Sequence, residues 1–284
     1  MTTSSYEKSI ERGVKHVGQR PADRAIELLN IGKGSREGCL SSVLMHAEAR
    51  SLMAWFERKD LDEHKQWAYV AAKIQRMILQ LEPWRWFPAY KLLYALLSDH
   101  ENVLHWYEGH RVAFFIHDDE RGDESLNKEN PATVTFHSYQ ALLALRGEWE
   151  ELGQRCELIL GLPKAVGQDF LVDHRFYLAL ANGDRRGMEA ALNCLTSPEV
   201  AKIRNYGAAF GFTESLLATH ATLYAKIAWR HGFEIEVESP WVPREWLPIK
   251  PLQDYKDPWP FMQSFDIWQP FEGEWATWSP AQKP

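Results

Sequence analysis

Apolar residues recur at helical spacing along most of the chain, and polar punctuation cuts that periodicity into a succession of segments. Tyr6, Ile10, Val14 and Val17 follow an S-x-x-E box at Ser4 and Glu7, predicting a first helix over about 5–17. Pro21 suits the first turn of a second helix, lined by Ile26, Leu29 and Ile31 and stopped at Gly32-Lys33-Gly34. Leu40, Val43, Leu44, Ala47, Leu52, Trp55 and Phe56 mark a long third helix, and Trp67, Val70, Ile74, Met77, Ile78 and Leu81 a fourth. The short turn Lys59-Asp60-Leu61-Asp62 between them makes the pair antiparallel neighbours. Pro83 and Pro88 interrupt the pattern, Leu92, Leu93, Leu96 and Leu97 resume it, and a shorter helix follows from about Glu101 to Gly109.

The second half repeats one texture twice. Tyr139, Leu142, Leu143 and Leu145 turn at Arg146-Gly147 into Trp149, Leu152, Cys156, Ile159 and Leu160. Phe170, Phe176, Tyr177 and Leu180 turn at Asn182-Gly183-Asp184 into Met188, Ala191, Leu192 and Leu195. Small residues alternating with large ones let paired helices approach closely, as in tetratricopeptide hairpins, although the 34-residue signature of that repeat is absent. A last helix is expected from about Thr213 to Trp229, with Leu216, Leu217, Leu223, Tyr224 and Ile227 inward and Gly232 as its stop. Phe233, Ile235 and Val237 then alternate with Glu234, Glu236 and Glu238, a brief strand signal. The pattern predicts an all-α fold: an array of antiparallel helical hairpins over 4–231, closed by a short strand and an irregular strap over 233–284, all in one domain. A four-helix-bundle-like core is the alternative arrangement.

Two segments escape the periodicity. HDDERGDESLNKENP, from His117 to Pro131, reads as a long exposed loop in which Asp118, Asp119, Glu120, Asp123 and Glu124 crowd together, as a solvated linker or as a contact surface. From Pro240 to Pro284 come nine of the fifteen prolines and six of the thirteen tryptophans. A buried aromatic stabilises by about 2–3 kcal/mol, so this segment is expected to lie against something. Either it straps the helical core, or part of it, Trp275 and Trp278, docks a partner.

Composition narrows the functions. With 32 basic and 39 acidic residues the formal charge is −7, which disfavours nucleic acid as a partner and suits either plain solubility or a basic protein partner. MTTSSYEKSIERG lacks a hydrophobic signal core and no window reaches the ~18 apolar residues of a membrane span, so a cytoplasmic protein with no membrane partner is expected. Cys39, Cys156 and Cys194 read as reduced core residues. Gly32, Gly34 and Gly38 miss the spacing of a phosphate loop. Among eleven histidines no metal-ligand spacing occurs: His100, His105 and His110 cannot share one helical face. His46 with Glu48, Asp62 with His64, and Asp173 beside His174 read as polar surface clusters. No nucleophile and base stand out, so no catalytic, cofactor or metal residues are assigned and a non-enzymatic binding protein is expected.

The run FYLALANGDRRGMEAALNCL, the Lys202-Ile203-Arg204 element, the late helix passing into WRHGFEIEVESPWVPREWLPIKP, and DYKDPWPF resemble the Immunity protein 49 family of bacterial polymorphic-toxin systems, over about residues 130–265. That resemblance implies an antidote that binds and sterically neutralises a cognate toxin with a basic surface. Asp118, Asp119, Glu120, Asp123 and Glu124 would steer the encounter, and Trp275 and Trp278 would anchor it. A helical-repeat scaffold or regulator is the alternative, and a metal-dependent hydrolase assembled from distant histidines a third reading.

Overall fold

The computed structural model describes residues 3–18, 20–81, 89–109, 128–162, 170–207, 213 and 215–269. Among these are thirteen α-helices and no strand, as the all-α reading requires. The first group is α1 (Thr3–Val17), α2 (Asp23–Asn30), α3 (Arg36–Arg58) and α4 (Leu61–Leu81). A 3-10 turn at Ala89–Leu92 leads into α5 (Leu93–Ser98) and α6 (Glu101–Gly109). The second group is α7 (Val134–Arg146), α8 (Trp149–Gly161), α9 (Leu171–Ala181), α10 (Arg185–Leu195), α11 (Pro198–Gly207) and α12 (Thr219–Arg230). The single-turn α13 (Pro260–Gln263) lies in the strap.

Local chemistry sets the hairpins. Lys59 ends α3 in left-handed backbone (φ 56°), and the Asp60 carboxylate accepts from the Glu63 amide at 2.9 Å to start α4. Gly147 (φ 71°) and Gly183 (φ 66°) turn α7 into α8 and α9 into α10, where the sequence places those turns. A Cβ added at Gly187 would stand 2.9 Å from that of Ala179, so α9 and α10 meet at a distance only glycine allows. Their apolar faces join one core that includes Val43, Leu52, Ile74, Leu96, Leu142, Leu180 and Leu223, all fully buried.

Several boundaries differ from expectation. The first helix starts at Thr3, ahead of the expected Ser4 cap, and the second starts at Asp23 rather than at Pro21. The last long helix begins at Thr219; Leu216 and Leu217 are buried, but in the turn before it. α11 went unanticipated, although Pro198 at its first position is a helix-start signal. The strand reading at 233–238 is corrected: Ile235 and Val237 are buried and Glu234, Glu236 and Glu238 exposed, with no strand beside them among the described residues. A period of two reports an extended chain with one face on the core; it does not require a pairing strand. The cysteine expectation holds for Cys39 and Cys156, but Cys194 is exposed.

The chain from Phe233 onward, extended at first and then broken by a 3-10 turn at Arg244–Trp246 and by α13, is fastened to the array by buried charge. Lys226 of α12 donates to the carbonyls of Trp246, Leu247 and Pro248 at 2.7, 3.3 and 3.2 Å and pairs with Asp99 at 2.8 Å. Lys65 of α4 pairs with the same carboxylate at 2.8 Å and donates to the Lys250 carbonyl. Burial pulls the Lys226 ammonium down to about 8, with Asp99 opposing the shift. Further along, Tyr69 and Lys73 hold Asp257 at 3.0 and 2.7 Å, and Arg76 donates to the Ile267 carbonyl at 2.8 Å. Positions 65, 69, 73 and 76 share one face of α4, so the strap runs beside that helix in the same direction. Trp246 is fully buried, stacked on His64 at 4.1 Å, while Trp268 is 42% exposed and donates to Asn102 at 2.7 Å.

Asp99→Asn keeps a residue that tolerates left-handed backbone (φ 54° here) but strands two buried ammonium groups. Urea unfolding should show a loss of about 3–5 kcal/mol. A loss under about 1 kcal/mol would show that the fold does not depend on this carboxylate.

Candidate functional site

Helix α9 has two faces with different work. Inward, Asp173 accepts from Arg204 of α11 at 2.6 Å and from the Tyr224 hydroxyl of α12. His174 meets His137 of α7 at 2.7 Å between ring nitrogens, one donating and the other accepting. His137 stacks on Phe170 with ring centroids 4.2 Å apart, and the Arg204 guanidinium lies 5.0 Å from the same ring. Asp173 and His174 are therefore buried, which corrects their reading as surface groups, and so is His64, bonded to Ser51 at 2.9 Å. The polar pairs tie α9 to three other helices and fix its rotation.

Burial and nearby cations hold the two imidazoles of this centre neutral at ordinary pH. Burial first, then Arg204 and Arg155, pulls His137 down to about 4; burial first, then His137 and both arginines, pulls His174 to about 3. Burial raises Asp173 against the opposing pull of Arg204 and Tyr224. It also raises the Cys156 thiol far from its reactive range. Arg155 is held by Gln140 at 3.1 Å and Glu129 at 2.7 Å, under the rings of Phe136 and Tyr139. Neutral imidazoles and paired guanidiniums of this kind position helices. Among the described residues no group of three His, Cys, Asp or Glu side chains could hold a metal ion.

Outward, α9 and α10 enclose a surface groove of about 460 Å³. Val172, Arg175, Leu178 and Asn182 line one wall and Gly187, Ala190, Ala191 and Cys194 the other, with Asp184 at the turn end. The Asp184 carboxylate is engaged as the cap of α10, accepting from the Gly187 amide at 3.0 Å. A second cleft, of about 380 Å³, lies between Tyr6, Trp55 and the 236–245 stretch. Its aromatic floor already carries a cation, Lys59 over Trp55 at 4.8 Å.

Asp118, Asp119, Glu120, Asp123, Glu124, Trp275 and Trp278 lie outside the described residues. The groove was missed by sequence reading, although the small residues at 187, 190, 191 and 194 carry its spacing.

The fold and this site define an all-helical protein whose buried ionisable groups hold helices in register and whose open features are grooves. Residues 130–246 match the family model described as Immunity protein 49, from the turn before α7 to the buried Trp246. The resemblance stated for this half of the chain is thus shown over that segment. No match was found among curated proteins, and none among solved structures. No described helix is long and apolar enough to cross a membrane.

Acid should loosen the fold. Unfolded histidines take up protons near pH 6.5, whereas His64 and His137 stay neutral to about 4 and His174 to about 3. The unfolded state then binds more protons, so stability falls as pH drops from 6.5 towards 4. Half-buried Glu48, raised to about 7 by burial, and Asp173, raised likewise, work the other way, two carboxylates against six histidines, because burial also lowers His100, His220 and His231. The urea midpoint should be lower at pH 5 than at pH 7; a higher midpoint at pH 5 would refute this balance.

Proposed function

We propose that this chain is an immunity protein that binds a cognate bacterial toxin in the cytoplasm and neutralises it by covering its working surface. The observation that carries this reading is the Immunity protein 49 match over residues 130–246. The geometry supports it: that segment contains both glycine-turned hairpins, the polar centre that fixes α9, and the groove. The formal charge of −7 suits a toxin with a basic surface. In this reading Asp118, Asp119, Glu120, Asp123 and Glu124 raise the association rate, and Trp275 and Trp278 slow dissociation.

The test is co-expression of the adjacent open reading frame, as the toxin this reading expects, with and without this chain. Growth should be restored only when the chain is present, and the two products should co-purify. Unrelieved killing would refute the proposal. Charge reversal of the five acidic residues should slow association about tenfold at low salt and leave dissociation nearly unchanged. An association rate insensitive to both the substitutions and salt would remove the steering role while leaving immunity intact.

A further inference from the structure

We propose that the groove between α9 and α10 is the seat for an amphipathic helix of the toxin, one whose apolar stripe carries a carboxylate opposite Arg175. The assignment rests on the immunity reading and says where on the chain the partner is held.

The shape comes first. α10 presents Gly187, Ala190, Ala191 and Cys194 to the groove, positions three, four and seven apart and therefore one face of the helix. With no side chain longer than a thiol on that wall, another helix axis can approach within the ~8–10 Å of helix–helix packing. The α9 wall supplies Val172 and Leu178 as larger apolar surfaces against which a stripe of partner side chains can rest. This is the layout of helix-in-groove recognition, where anchors at i, i+3, i+4 and i+7 enter an apolar channel. Among the described residues the groove is lined by α9, α10 and their turn alone. The antiparallel pair thus offers the face that a further helix of a hairpin array would cover.

Charge selects the occupant. Arg175 is exposed and makes no ion pair among the described residues, and it stands on a mostly apolar wall. The carboxylate nearest in the lining, Asp184, is at the turn end and engaged as the α10 cap. A guanidinium so placed rewards a partner that brings a carboxylate with its apolar stripe, because bidentate pairing at a desolvated edge adds orientation as well as attraction. It also disfavours a purely apolar helix, or one that brings a cation to that position. The rotation of α9 that points Arg175 outward is the one that Asp173 and His174 fix from inside.

The experiment uses the full chain and an inactivated variant of the adjacent open reading frame's product. Cys194 is exposed whereas Cys39 and Cys156 are buried, so a maleimide reports on the groove without substitution. Toxin should slow labelling of Cys194 at least about tenfold. Ala190→Trp, which fills the channel from an exposed position, and Arg175→Glu should each weaken binding about tenfold or more with unchanged thermal unfolding. Arg175→Lys, which keeps the charge and loses the bidentate fork, should fall between the parent and Arg175→Glu. Unchanged labelling together with unchanged affinity of both variants, in a complex that still forms, would overturn the groove assignment and leave the immunity reading standing. Protection of Cys194 in the protein alone, growing with its concentration, would overturn it in favour of a second copy of this chain. If the unmodified chain does not bind that product, both proposals fall together.

Discussion

Asp99 lies fully buried between the ammonium groups of Lys65 and Lys226, each 2.8 Å away. Placing three charges in the interior costs several kcal/mol per ion, and a hydrophobic substitute of the same volume would often be as stable. What the triad supplies is position. Asp99 caps α5 in left-handed backbone, Lys65 belongs to α4 and Lys226 to α12, so one carboxylate sets three elements against each other. The spare donors of both lysines go to carbonyls of residues 246–248 and 250. The carbonyls at the end of the 3-10 turn Arg244–Trp246 and just beyond it, which no helix or sheet satisfies, thereby find their partners. The strap's path over the core follows from where those donors stand.

The helical scaffold was legible because its signals are local. Apolar spacing of three and four, Gly147 and Gly183 at turns, and the two-residue link at Lys59-Asp60 each act within a few residues. The interior polar groups were not legible for the opposite reason. Lys65, Lys73, Arg76, Asp173, His174 and Lys226 have their partners 20 to 191 positions away, so in a sequence window they look like any solvated face. Alternation at 233–238 was read as a strand because periodicity records which side is buried and is silent on what lies beside it. The groove was hidden by the same limit. Alanine and glycine at helical spacing signal close packing, and only the fold shows that Ala190 and Cys194 face outward.

Helix α9 links the interior to the surface. Its inward carboxylate and imidazole are fixed by α7, α11 and α12, and its outward residues form a wall of the groove. Because the side chains share one rigid helix, any change that lets Asp173 or His174 move turns that wall as well. The shape of the groove and the integrity of the polar centre are therefore coupled by geometry alone, without a conformational switch.

The order in which the strap meets its holders bears on how the chain is made. Lys65, Tyr69, Lys73 and Arg76 leave the ribosome nearly two hundred residues before the last of their partners at 250, 257 and 267. Until then a helix that is otherwise strongly apolar presents an uncovered polar stripe. Assembly of the N-terminal hairpin can begin early, but its closure waits on translation of the strap. A chain ending between α12 and residue 246 would hold a nearly complete array in which the cations of α4 still face water.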